Sequence, residues 1–181
     1  MKLSGNAHRF DPNDDINTDY IISGRYKFKI DDINELAKHV MEDIDPAFSR
    51  NVKAGDFVVA GRNFGCGSSR EQAPRALKAA GVSAVIAKSY ARIFYRSSFN
   101  VGLPLIECDT DSIKGGDRID ADLDTGIVRD VTSGLTLKAA PLPLTMQILL
   151  KDGGLIPHLK KHGDFVLTDL TGGDPRGSND K

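Results

Sequence analysis

Apolar and polar positions along this chain fall into two regimes. Residues 3–10 have the length and texture of a short strand, and a polar run, Asp11 to Asp19, follows. Residues 31–41 place Ile33, Leu36, Ala37, Val40 and Met41 on one helical face, with Asp31 or Asp32 capping the start. Residues 56–60 form a short apolar run typical of a buried strand. A glycine-rich loop comes next, then a helix through about Ala80 and a second apolar strand at 82–87. A helix near 90–99 and a strand at 103–107 complete a β-loop-α-β-α-β order, which predicts parallel strands joined by helical crossovers. Beyond that the period changes. Residues 117–138 alternate around Asp124-Thr125-Gly126 and Thr132-Ser133-Gly134, as antiparallel hairpins do. A helix at 144–151 is predicted to stop at Gly153-Gly154. The expectation is one α/β domain over 1–170, with a mixed sheet of βαβ core and antiparallel β end. Residues 171–181 have no apolar periodicity and read as a disordered tail.

Composition narrows the function. Apolar residues make up 40% of the 181 positions and charged residues 27%, enough for a real core. With 24 basic against 25 acidic residues there is no strong field, so nucleic acid and membrane surfaces are poor partners. No apolar run spans a bilayer and no secretory leader opens the chain, so the expected location is cytoplasmic. Cys66 and Cys108 are too few and too far apart for a metal knuckle or a cluster. His158 and His162 flank a lysine pair and read as surface residues. An EF-hand register from Asp11 would place Ile16 and Ile22 where Gly and Glu are needed, which argues against calcium. No metal ligand is therefore expected in this chain.

The chemistry concentrates in Gly61-Arg62-Asn63-Phe64-Gly65-Cys66-Gly67-Ser68-Ser69-Arg70-Glu71. Glycines after a strand let backbone N–H groups approach a ligand, and a following helix start favours an anion. Ser68 and Glu71 have capping-box spacing, and Arg70 offers a planar donor suited to a carboxylate. Gly65-x-Gly67-x-x-Arg70 departs from the dinucleotide fingerprint at its last position, where close packing needs Gly or Ala. Neither a Walker lysine nor a Gly-x-Ser-x-Gly elbow is present. Pro74 conflicts with Ser68 as N-cap, because proline beyond the first turn is costly; the helix is expected to break or restart near Pro74.

Several blocks together resemble the small subunit of 3-isopropylmalate dehydratase (isopropylmalate isomerase), in the aconitase superfamily. They are Asp15-Ile16-Asn17-Thr18-Asp19, Gly24-Arg25-Tyr26, Asn63 through Glu71, Ala87 through Arg96, and Asn100-Val101-Gly102-Leu103. The resemblance implies the swivelling β/β/α fold of the fourth aconitase domain. It also implies a separate large subunit carrying a [4Fe–4S] cluster, and a small dicarboxylate substrate dehydrated and rehydrated between the two chains. Self-association of the chain when alone is a further expectation. By the same resemblance Ser68 is the catalytic base in its alkoxide form, Ser69 and Arg70 hold substrate carboxylate, and Thr18 and Asp19 order the site at the subunit boundary. Cys66, though inside the motif, reads as a packing residue.

In relatives of this kind the loop after Gly-Arg-Tyr reads the substituent far from the reacting carbon. Here it is Tyr26-Lys27-Phe28-Lys29-Ile30, a segment with little to bury against when alone. Phe28 favours an alkyl group, while Lys27 could reach a carboxylate. The leading expectation is therefore an isopropylmalate hydro-lyase subunit of leucine biosynthesis, inactive without its large subunit. A homoaconitase or a dimethylmalate or methylmalate dehydratase subunit is an alternative. A regulatory module using the glycine loop to bind an anion or nucleotide is a third, from another class.

Overall fold

The computed structural model describes residues 1–27 and 29–163; of Lys27 only the backbone is described. Seven strands occur in chain order: β1 (Lys2–Arg9), β2 (Phe57–Val59), β3 (Ala84–Ala87), β4 (Leu105–Glu107), β5 (Arg118–Asp122), β6 (Ile127–Asp130) and β7 (Thr136–Lys138). The helices are α1 (Thr18–Ile21), α2 (Gly24–Lys27), α3 (Ile33–Ala37), α4 (Phe48–Asn51), α5 (Gln72–Ala79), α6 (Arg92–Asn100), α7 (Leu144–Asp152) and α8 (Leu155–His162).

The strands join in the order β4-β3-β2-β1-β5-β6-β7. β1 is the seam: it runs parallel to β2, with Arg9 opposite Val59, and antiparallel to β5, with Gly5 opposite Ile119. On the parallel side every residue of β2 and β3 is buried, because elements cover both faces. On the antiparallel side Ile119, Ala121 and Val128 point inward between exposed Arg118, Asp120 and Arg129, the alternation of a sheet with one wet face. The core is centred on Phe48, Phe57, Phe64 and Phe99, all fully buried. No helix among the described residues is long and apolar enough to cross a membrane.

Two local expectations are corrected and one is extended. The predicted helix over 31–41 ends at Ala37. Met41 takes a left-handed backbone and donates its N–H to Ile21 O at 3.0 Å, a bond that pulls the segment onto α1 while keeping Val40 and Met41 buried. Second, Gly153 caps α7 in the left-handed conformation as expected, but α8 then begins at once. Its Pro157 lies in the first turn, where no intrahelical N–H is needed. Third, His158 is not a surface residue: it is fully buried. Its Nδ1 lies 2.7 Å from Asp152 Oδ2, His162 Nε2 lies 3.0 Å from the same oxygen, and Lys161 donates to Oδ1 at 2.7 Å. Asp152 sits at the C-terminal end of α7, where its charge opposes the helix dipole, and the basic face of α8 offsets it. The carboxylate and the two imidazoles bring their ligand-type atoms within 4.8 Å of one another, a grouping the sequence did not reveal. The tail at 171–181 lies outside the described residues.

Candidate active site

The site forms where three parallel strands end. The chain leaves β1 at Arg9 and returns at Asn17-Thr18, leaves β2 at Val59 into the glycine loop, and leaves β3 at Ala87 toward Tyr90 and α6. Ligands in open α/β sheets gather at such carboxyl ends. The three exits are zipped together. Gly65 N–H donates to Ile16 O at 2.8 Å, and Thr18 N–H donates to Cys66 O at 2.9 Å. On the other flank Phe64 N–H donates to Ser89 O at 3.0 Å, and Ala91 N–H donates to Phe64 O at 2.9 Å. Residues 64–66 thus act as a short extra strand between the other two exits. Gly65 is required there: its φ is +77°, and a Cβ would lie 2.2 Å from the Phe94 ring.

Around this framework lies a cavity of about 450 Å³, a size suited to a small organic ligand. Thr18, Gly67, Ser68, Arg70, Arg92 and Ser97 are among its lining residues. Ser68 is exposed, and its hydroxyl has no hydrogen-bond partner among the described residues, whereas its carbonyl accepts from Thr18 Oγ1 at 2.8 Å. Arg70 is anchored by its tips: one Nη donates to Ile22 O at 2.7 Å and the other pairs with Asp19 Oδ1 at 2.5 Å. Its side chain is only 10% exposed, and Nε is buried with no acceptor among the described residues. A buried N–H without an acceptor costs about 1–3 kcal/mol. Tyr90 also lines the cavity, but burial pushes its phenol well above the usual range. Its hydroxyl lies 2.9 Å from Val85 O and 2.8 Å from Ile106 O, so it is a neutral post and not a proton carrier.

Of the residues singled out from sequence, Thr18, Ser68 and Arg70 line one cavity, and Asp19 reaches it through Arg70. Ser69 is exposed beside the cavity without lining it. Phe28 and the side chain of Lys27 lie outside the described residues. The start of their loop is held: Arg25 pairs with Asp43, and Tyr26 donates to Glu42 Oε1 at 2.8 Å and stacks on His39 at 4.0 Å between ring centroids.

The capping box is corrected. The helix after the loop starts at Gln72, with Glu71 as N-cap and no side-chain cap bond. Pro74 then falls at the third helical position, in the first turn, which removes the conflict noted above. Ser68 stands four residues ahead of that helix, freed from capping. Asn17 accepts from Asp19 N–H and Tyr20 N–H and fixes the turn that carries Thr18 and Asp19. Its signal was the Asn-x-Asp order at a helix start. Cys66 is half-buried with Sγ 3.5 Å from Asp15 O, and burial raises its thiol above the usual range. Cys108 is buried after β4 and pushed up to about 11. Two cysteines so placed do not fit an iron–sulfur cluster, which needs several converging thiolates.

The pattern described as the aconitase C-terminal domain matches residues 13–110. The 3-isopropylmalate dehydratase small subunit 2 of Archaeoglobus fulgidus is 56% identical, covering 92% of this chain and 100% of that protein. The 3-isopropylmalate dehydratase small subunit 1 of Thermotoga maritima is 48% identical over 84% of this chain and 92% of its own. Among solved structures, 3-isopropylmalate dehydratase (leuD) of Methanocaldococcus jannaschii superposes with a TM-score of 0.86. It is 48% identical, covering 90% of this chain and 96% of that one. The fold, the loop and the relatives agree: this chain belongs to the aconitase C-terminal domain family, among the small subunits of 3-isopropylmalate dehydratases.

Proposed function

We propose that this chain is the small subunit of an isopropylmalate hydro-lyase, which interconverts 2- and 3-isopropylmalate through dehydration and rehydration in leucine biosynthesis. The observation that carries the reading is that Arg70 and Ser68, whose hydroxyl has no partner among the described residues, line one cavity. Arg70 is assigned a substrate carboxylate, and Ser68, as its alkoxide, the proton on the carbon beside that carboxylate. The Lewis-acid half of the chemistry, assistance to the departing hydroxide, belongs to an iron–sulfur cluster of the large subunit.

This chain's share is to bind, orient and move a proton. A serine hydroxyl is a weak acid, and each unit by which its pKa falls needs roughly 1.4 kcal/mol of preferential anion stabilisation. The backbone of the Gly65–Gly67 loop and the Arg70 guanidinium are the local sources, and they strengthen once a partner subunit closes the cavity to water. Thr18 holds the Ser68 carbonyl and Asp19 holds Arg70, so both keep the base and the carboxylate anchor in register. Ser69, beside the cavity, adds a hydroxyl to the substrate carboxylate. Phe28, whose structure lies outside the described residues, is assigned the reading of the alkyl substituent, with about 1–3 kcal/mol of selectivity available from an apolar pocket, and Lys27 lies next to it in sequence.

The test is reconstitution with the cluster-bearing large subunit, following the unsaturated intermediate by its absorbance. Isopropylmalates are expected to turn over, and Ser68→Ala to lower kcat by about 10²–10⁴-fold, the range for loss of a general base. Turnover by the alanine variant at the wild-type rate rejects Ser68 as the base. In a panel with homologous tricarboxylates and smaller alkylmalates, Phe28→Arg should move preference toward the carboxylate-bearing substrate; an unchanged ranking removes Phe28 from the specificity role.

A further inference from the structure

The corner between α7 and α8 gathers three metal-ligating side chains that the catalytic reading leaves unused. His158 and His162 are four residues apart on α8, so their rings share one helical face. Asp152 is the last residue of α7. Its Oδ2 lies 2.7 Å from His158 Nδ1 and 3.0 Å from His162 Nε2, and the three ligand-type atoms lie within 4.8 Å of one another. Lys161 holds the other oxygen, Oδ1, at 2.7 Å. The group is sequestered: the side chains of His158, Asp152 and His162 are 0%, 6% and 16% exposed. The backbone that presents them is fixed. Gly153 and Gly154 turn the chain at positive φ, and a Cβ on Gly154 would come within 2.5 Å of Asn100 O at the end of α6.

We propose that Asp152, His158 and His162 form a binding site for a divalent transition-metal ion, with zinc as the species that fits. The site stands on the α7–α8 corner alone and is independent of the isopropylmalate reading. Two imidazoles and one carboxylate suit zinc and disfavour calcium and magnesium, whose shells are built of oxygen. Bonds of about 2.0–2.2 Å in a tetrahedral shell place neighbouring ligand atoms roughly 3.3–3.5 Å apart. The 2.7 and 3.0 Å separations are slightly shorter, as hydrogen bonds are, so side-chain shifts of about 1 Å open them to an ion. The carboxylate gives Oδ2, each imidazole gives the nitrogen already turned toward it, and water takes the fourth position beside His162, the most exposed of the three. An ionised carboxylate only accepts, so those ring nitrogens carry protons in the hydrogen-bonded arrangement. On coordination the protons pass to solvent or to the other ring nitrogen, and both rings bind as neutral ligands. Lys161 on Oδ1 orients the carboxylate from outside. The ion would tie α8 to α7 and, through the close approach of Gly154 to Asn100, brace both against α6.

The experiment uses the full chain stripped with EDTA and titrated with Zn²⁺, and separately with Co²⁺ as a spectroscopic probe. One equivalent of zinc should bind with a Kd below about 50 μM and raise the Tm by several degrees at saturation. Cobalt should give the visible d–d bands of a low-coordinate site. His162→Gln, at the most exposed ligand, and Asp152→Asn should each weaken zinc binding about tenfold or more. Zinc-edge X-ray absorption of the wild-type complex with the ion should show imidazole nitrogen and carboxylate oxygen neighbours without sulfur, a reading that holds even where a variant fails to fold. Three results overturn the proposal. One is a stoichiometric Kd weaker than that limit. Another is sulfur in the metal shell, which assigns the ion to Cys66 or Cys108 instead. The third is a folded variant of Asp152 or His162 that keeps zinc affinity within tenfold of wild type.

Discussion

Thr18 Oγ1 donates to the carbonyl of Ser68 at 2.8 Å across fifty residues of chain. The threonine is buried and the serine is exposed, so the bond ties a fixed turn to the exposed one proposed to carry the base. Thr18→Val keeps the shape and deletes the donor. We expect a stability loss of about 1 kcal/mol, the usual net weight of one such bond, and a several-fold fall in kcat with little change in KM. Denaturant melts and steady-state kinetics of the reconstituted enzyme check both; a change in KM alone contradicts the positioning role.

Arg70 cannot be exchanged for lysine. Its planar head satisfies Asp19 and Ile22 O at once, whereas an ammonium presents one compact point of charge. Arg70→Lys should raise KM by more than tenfold. Calorimetric titration of substrate into the complex measures the loss directly, and near-normal affinity contradicts the anchoring role proposed for Arg70.

Gly65→Ala should damage fold and site together. The added methyl meets the Phe94 ring and the residue is held at positive φ, a combined cost of roughly 2–3 kcal/mol. Because Phe94 opens α6, the strain displaces the cavity wall as well. A thermal melt and kinetics on the surviving folded fraction measure the two effects separately.

Asp152 should give the α7–α8 corner an acid limit. Lys161 first, then His158 and His162, hold its carboxyl well below the usual range, although burial acts in the opposite direction. A depressed folded pKa stabilises above the unfolded value, about 4 for aspartate, and that contribution is lost as pH falls through the folded value. Asp152→Asn should therefore lower the Tm by several degrees at pH 7, and the gap from wild type should narrow below about pH 4. A pH-independent gap in scanning calorimetry contradicts the ionic account.

The parallel half of the sheet was legible because β2 and β3 are short, wholly apolar runs separated by one amphipathic helix. The hairpins were legible because Ile119, Ala121 and Val128 alternate with charge. The central loop announced itself through glycines, serines and arginine in one stretch. His158 was misread because its lysine neighbours mask a face that turns inward only when α8 folds back on Asp152. The capping box was misread because Ser-x-x-Glu spacing is local, while the helix start was set by the ties of residues 64–66 to both flanking exits.

By itself the sequence determined which segments are strands and helices, that the chain is of the aconitase type, and which loop lines the candidate site. All of these are carried by residue type and period along a single stretch. Only the tertiary structure decided what Arg70 spends its nitrogens on, that Ser68 caps nothing, and that residues of the first turn of α6 line the same cavity. Those depend on groups tens of residues apart arriving at one sheet edge. Hydrogen bonds and ion pairs act over about 3 Å, and no pattern along the chain encodes that separation.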